Sequence, residues 1–313
     1  MTLLKSSDPM RSETSKNDAS SSVGRTRRSI RTLYLRSGSL GGLFGAFILV
    51  LFIVMAAFGH WLEPFNPNNI SGGFLSGSST HHLFGTDELG RDELSRVIAA
   101  ASDAVLSAFS AVAIAAIGGL ILGLISGFWA RSWVDGGISR FVDFLFCIPE
   151  IIGAVIVITV LGAGLWSASL AIGIIYTPRF SRIVRTATMD VANRSYIDAA
   201  RLSKRSNFRI IVDHVLPNIT SPLAVMVAMS LSNAAATYAA LSFLGFAIAP
   251  PQADYGSMLG AAEPYLRSDP MLVVWPSLAL VLLILAFNLV GDWVRDRLAR
   301  RAGDFLQATV ARP

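Results

Sequence analysis

The chain has 313 residues, of which 53% are hydrophobic and only 15% charged. A water-soluble domain carries about a quarter charged residues, so an ordinary globular protein with a solvated surface is excluded. The formal net charge of +5 gathers at the flanks of apolar runs, which excludes a nucleic-acid-binding patch as its cause, and the lone Cys147 excludes an intrachain disulfide.

Residues 1–38 predict a cytoplasmic tail. Its first part, 1–24, is Ser-rich, lacks aromatic residues and reads as disordered. Arg25, Arg27, Arg28, Arg31 and Arg36 follow, and basic residues beside a span stay on the cytoplasmic side. No Asp, Glu, Lys or Arg occurs from Ser37 to His60, which predicts a first transmembrane helix over 39–61. The long polar tail before this run and the length of the run argue against a cleaved signal peptide.

Residues 62–103 predict an extracytoplasmic loop, where Arg91 and Arg96 are outnumbered by acids. Gly85 and Gly90 predict tight turns. Asp87, Arg91 and Asp92 predict exposed ion pairs holding the loop against the next span, a structural role. His81-His82 read as a solvated pair, and no metal site is predicted.

Further charge-poor stretches predict spans over 104–129, 141–161, 165–185, 219–246 and 271–292. Gly162-Ala163-Gly164 supplies the turn between the third and fourth. Cys147 falls in the third as a small packing residue, and Glu150 is the most membrane-embedded acid. Such a group either lines a translocation path or lies near the cytoplasmic end, snorkelling or pairing with Arg140. With about six spans both termini are cytoplasmic, including the basic tail 293–313.

The cytoplasmic segment 190–218 between the fourth and fifth spans is polar enough to leave the bilayer and patterned enough to fold. Ile197, Ala200 and Leu202 predict the apolar strip of one short helix, and Phe208, Ile211, Val212 and Val215 that of a second. Ala199 and Ala200 lack bulk, so a partner can approach the backbone closely. In the fifth span Ser230, Asn233 and Thr237 share one helix face, which points either to a wet cavity or to an interhelical hydrogen-bond seam.

No Gly-x-x-x-x-Gly-Lys-[Ser/Thr] loop is present: the lysines are Lys5, Lys16 and Lys204, and none follows a glycine. If ATP drives this protein, another chain binds it.

Asp198-Ala199-Ala200 followed by Val215-Leu216-Pro217 resembles the Glu-Ala-Ala loop of binding-protein-dependent ABC importer permeases. His82-Leu-Phe-Gly-Thr-Asp-Glu-Leu-Gly-Arg-Asp92, Ala240-Leu-Ser-Phe-Leu-Gly245, Pro250-Pro251, Tyr255-Gly-Ser-Met-Leu259 and Ala286-Phe-Asn-Leu-Val-Gly-Asp292 resemble, in family order, motifs of its dipeptide/oligopeptide branch. The length and the single outer loop after the first span resemble the second, C-type permease.

The resemblance implies an all-α integral membrane protein of the type I importer class. Residues 104–292 would form the transporter domain and the 190–218 loop would seat in an ATPase. Tyr196, Asp198, Ala199, Ala200, Lys204, Phe208, Leu216 and Pro217 are then coupling residues, and Glu150, Ser230, Asn233, Thr237 and Tyr238 candidate path residues. Two departures stand out: Lys204 replaces a glycine, and Tyr238 occupies the slot of a glutamate. The implied partners are a homologous permease, two ATP-binding ATPase subunits, an extracytoplasmic solute-binding protein and the lipid bilayer. ATP and magnesium would reside on the partners, with no cofactor on this chain. The expected cargo is short peptides, with nickel or another small solute as the alternative. A membrane scaffold or sensor is the reading from a different functional class.

Overall fold

A computed structural model describes residues 40–310, with side chains to Leu298. The expected tail at 1–38 and the arginines Arg300, Arg301 and Arg312 lie outside the described side chains. Ten α-helices occur among the described residues: α1 Leu40–Leu62, α2 Glu93–Phe128, α3 Trp133–Phe146, α4 Glu150–Leu161, α5 Leu165–Ala192, α6 Ser195–Leu202, α7 Asn207–Ile210, α8 Leu216–Phe243, α9 Tyr255–Ala262 and α10 Met271–Val310. The only β-type pairings described are isolated bridges, Ile70 with Arg91 and Thr86 with Asp92.

Four helices are long and apolar enough to cross a membrane: α1, α2, the α7–α8 run Asn207–Phe243, and α10 through Leu298. The pair α3 and α4 makes a fifth if counted as one bent span. α5 has spanning length at 28 residues, but Arg179, Arg182 and Arg185 make its second half polar.

The predicted boundaries change in three places. The second helix begins at Glu93, so the outer loop ends about ten residues early; Asp92 caps the helix by accepting from the Ser95 amide. The predicted span 141–161 is two helices bent by 95°. Pro149 has no amide hydrogen to continue the ladder, and α4 alone, 12 residues or roughly 18 Å long, is too short to cross. Cys147 therefore lies exposed at the bend instead of packed in a span. The second coupling helix is not separate: a π-helical turn over Ile211–Val215 joins α7 directly to α8.

α2 and α5 pack along a seam of small residues. Ala100, Ala104, Ala108, Ala111 and Ala115 are buried on α2, and Gly119, Gly123 and Gly127 continue the row. A methyl group at Gly123 would lie 2.6 Å from Val184 Cβ, and one at Gly127 2.7 Å from Thr188 Cβ. Only glycine admits such an approach, and helix association in lipid rests on close packing of this kind. α1 uses the same device on α10, where a methyl at Gly45 would meet Leu289.

Two apolar cores result. The larger lies among α1, α2, α4, α5, α8, α9 and α10 and includes Tyr176, Phe180, Leu283 and Phe287. The smaller, around Phe128, Val184, Ile197, Ile210, Val215 and Ile219, seats α6 at one end of the bundle.

Candidate functional site

α6 projects from the end of α5 after only Asn193 and Arg194. Ile197 and Ala200 face the small core, as the strip predicted, whereas Leu202 is 85% exposed. Five residues after Ile197 a helix has turned about 140° beyond a full turn, so Leu202 points away. Phe208 is likewise outward, 74% exposed, and Ile210, absent from the predicted strip, takes the buried place. The two alanines divide: Ala200 packs inward and Ala199 is open. Tyr196, Asp198, Ala199, Lys204, Phe208 and Pro217 are exposed and Leu216 half-buried, so the structure brings most of the predicted coupling residues to one exterior segment. The Tyr196 and His214 rings meet edge to face at 6.3 Å.

Lys204 takes φ +54°, the left-handed turn that the missing glycine would adopt freely. A side chain there costs about 1–2 kcal/mol. Lys204→Gly is expected to raise thermal stability by about 1 kcal/mol with transport retained, measured by detergent-phase melting and uptake. A lower melting temperature would show that the lysine side chain contributes more than its backbone costs.

Three acid–arginine pairs tie α5 to the bent α3–α4 arm. Arg185 grips Asp135 with Nε at 2.7 Å and Nη2 at 2.9 Å, and Asp135 also accepts from the Arg131 amide. Arg182 donates to Asp143 at 2.7 Å and stacks on the Phe146 ring at 3.9 Å. Arg179 donates to Glu150, so the partner of Glu150 is Arg179 and not the predicted Arg140. A cavity of about 410 Å³ opens between α2, α3 and α5 beside Ser126, Ser139, Asp143 and Arg182.

The predicted polar face of α8 is split. Ser230 is buried in the bundle. Thr237 shares a 2.8 Å hydrogen bond with the Tyr176 hydroxyl on α5, which makes this position a seam. Asn233 is exposed, its amide donating to the Met229 carbonyl, and is open to a cavity or partner.

Tyr238 is fully buried, with no partner for its hydroxyl among the described residues. Nearby lies an acid the sequence reading passed over. Asp254 is wholly buried, caps α9 by accepting from the Ser257 amide, and accepts from the Ser242 hydroxyl. Burial, aided by the charge of Asp103 and opposed by backbone amides, raises its pKa from 3.8 to about 7.

A carboxyl raised in the folded state binds more protons there than when unfolded, so its contribution to stability declines as pH rises from about 4 to about 7. The expected slope reaches about 1.4 kcal/mol per pH unit. Asp254→Asn should flatten the melting temperature across that window; an unchanged slope would contradict the assignment.

In the outer loop Gly85 and Gly90 take φ +82° and +76°, confirming both turns. The ion pairs are buried, however, where exposed ones were expected. Asp87 accepts from Arg91 Nε at 2.6 Å and from the Leu89 and Arg91 amides at 2.9 Å, and Arg96 Nε lies 3.3 Å away. Asp92 accepts from the Ser95 amide and hydroxyl and pairs with His82 Nδ1 at 2.8 Å. His82 is therefore part of the loop's interior and not half of a solvated pair. Arg96 reaches the carbonyls of Pro67 and Pro251, stapling the loop to the segment before α9. The short-range Asp–Arg spacing was visible in sequence, but the partnership of Arg96 with residues 155 positions away was not.

Comparison with known proteins places this arrangement. Residues 119–304 match the family described as "Binding-protein-dependent transport system inner membrane component". The chain is 37% identical over 268 residues to a di/tripeptide transport system permease protein, DppC, of Pseudomonas aeruginosa, covering 83% of this chain and 87% of the relative. It is 32% identical to the dipeptide transport system permease protein DppC of Haemophilus influenzae, covering 82% and 90%. It is also 37% identical to the glutathione transport system permease protein GsiD of Escherichia coli O157:H7, covering 81% and 84%.

Among solved structures, a chain of the MetNI methionine ABC transporter in inward-facing conformations shares the fold. The TM-score is 0.55 at 17% identity, over 66% of this chain and 97% of that one. A helical bundle with an exposed acid-Ala-Ala segment and this sequence kinship leave one assignment: the chain belongs to the inner membrane components of binding-protein-dependent transport systems, as a permease subunit of an ABC importer.

Proposed function

We propose that the cargo of this permease is short peptides, and that it works as the C-type subunit beside a second homologous permease. Two ATPase subunits engage the surface of α6, and a solute-binding protein delivers cargo at the outer face. The kinship to di/tripeptide and glutathione permeases carries the reading: glutathione is itself a tripeptide, so both relatives are named for one chemical class.

The mechanism is alternating access. Closure of the ATPase pair on ATP and magnesium moves α6, and α5 follows because only two residues intervene. The helix bundle then rocks open to the outside. This chain makes and breaks no covalent bond.

Competition uptake tests the cargo. In cells whose labelled-dialanine uptake depends on this chain, unlabelled di- and tripeptides are expected to suppress the signal and nickel to leave it unchanged. Suppression by nickel alone, or co-purification without any ATPase, would replace the peptide reading by a metal importer or a scaffold respectively.

A further inference from the structure

Glu150 and Arg179 differ from the Asp135–Arg185 pair in how much of their hydrogen-bonding capacity is engaged. The Asp135 carboxylate is 7% exposed and accepts from Arg185, the Arg131 amide and the Ser139 hydroxyl. The Arg182–Asp143 pair is more open still, at 54% and 63%, but Arg182 is covered on one face by Phe146 and the cavity beside it is lined by Ser126, Ser139, Ser181 and Thr186. The Glu150 carboxylate has a single described partner, Arg179, and the two side chains are 39% and 38% exposed.

An ionised carboxylate accepts up to about four hydrogen bonds and a guanidinium donates five, so both groups keep free capacity. They border a cavity of about 220 Å³ whose other walls are Leu145, Phe146, Ile148, Pro149 and Ile175. Charged groups between apolar walls face water-filled space or a partner, because hydrocarbon does not solvate them. Arg179 also lies 5.2 Å from the centre of the Tyr176 ring, and the Tyr176 hydroxyl continues to Thr237 on α8. The pair is thus wired to the helix that carries the open Asn233.

We infer that Glu150 and Arg179 form an exchange site for the two ends of a passing peptide, Glu150 taking the α-ammonium and Arg179 the α-carboxylate. This inference rests on the peptide reading above. A zwitterion suits the site because its entry replaces one ion pair by two. Neither protein charge is left without an ionic partner. A cation or an anion alone would satisfy one partner and strand the other. The cavity is smaller than the roughly 300 Å³ at which ligand pockets begin, so it receives chain ends in transit and does not retain a whole peptide.

The test is uptake by the complete transporter of labelled dialanine, N-acetyl-dialanine and dialanine amide, in the wild type, Glu150→Gln and Arg179→Gln. The external binding protein contributes the same preferences to all three transporters, so differences between them report on the pair. Glu150→Gln is expected to reduce the preference for the free over the acetylated amine by about tenfold, the effect of losing ~1.4 kcal/mol from one charged hydrogen bond, while leaving the preference over the amide intact. Arg179→Gln should do the reverse.

If the single variants fail to accumulate, the neutral double variant E150Q/R179Q, which strands neither charge, is expected to restore accumulation with both terminal preferences diminished. Wild-type preferences in the single variants or in the neutral double variant would overturn the site while leaving peptide transport standing. Absence of dialanine uptake by the wild type would instead overturn the peptide reading, and the site with it.

Discussion

Ala199→Arg is expected to abolish uptake while the protein still inserts and folds. Ala199 is open on α6, so the substitution touches nothing within the chain, and surface changes of this kind alter stability by about 0.5 kcal/mol or less. At a docked surface the same side chain overfills a close contact at a cost of about 1–3 kcal/mol, enough to weaken coupling by roughly 5- to 150-fold. Membrane yield, melting temperature and ATP-dependent uptake measured together separate these effects. Ala200→Arg is the informative contrast: Ala200 is buried against the small core, so that variant should fail at folding and not at coupling. Normal uptake by Ala199→Arg would refute the coupling role of α6.

The second large effect is expected at Asp87. Its carboxylate sits between Arg91 and Arg96, all three nearly inaccessible. Asp87→Ala leaves two guanidinium groups buried without their shared acceptor, and removing one partner of a buried pair costs about 3–5 kcal/mol. The expected outcome is loss of folded protein, or a melting temperature depressed by many degrees, with outer-loop protease sites newly cleaved. An exposed surface pair would cost about 1 kcal/mol or less, so this measurement distinguishes the buried arrangement from the one that sequence spacing suggested.

Much of the bundle was legible because long charge-free runs have one physical solution in a bilayer. The α3–α4 region was not, since hydropathy records how apolar a segment is but not its direction. Pro149 was visible, but the arginines on α5 that donate to the acids of α3 and hold the bent arm in place lie 39 and 50 positions from them in the chain. The candidate coupling segment was recognisable from Asp198-Ala199-Ala200. Which alanine faced out required the helical phase, fixed by Ile197 entering the small core. Lys204 shows the opposite case: a departure from pattern that the backbone absorbs by adopting the left-handed turn. Asp254 escaped notice because a lone acid beside Pro250-Pro251 looks like a loop residue until Ser242 and Ser257 are found around it.

α2 links regions that are otherwise discussed apart. Its first residues belong to the buried charge lattice of the outer loop, and its last, Phe128, lies against Arg201 of α6. With 36 residues it is a rod of roughly 54 Å, held against α5 where Gly119, Gly123 and Gly127 let the two backbones approach closely. One continuous helix therefore joins the buried ion pairs around Asp87 to the exposed α6 segment.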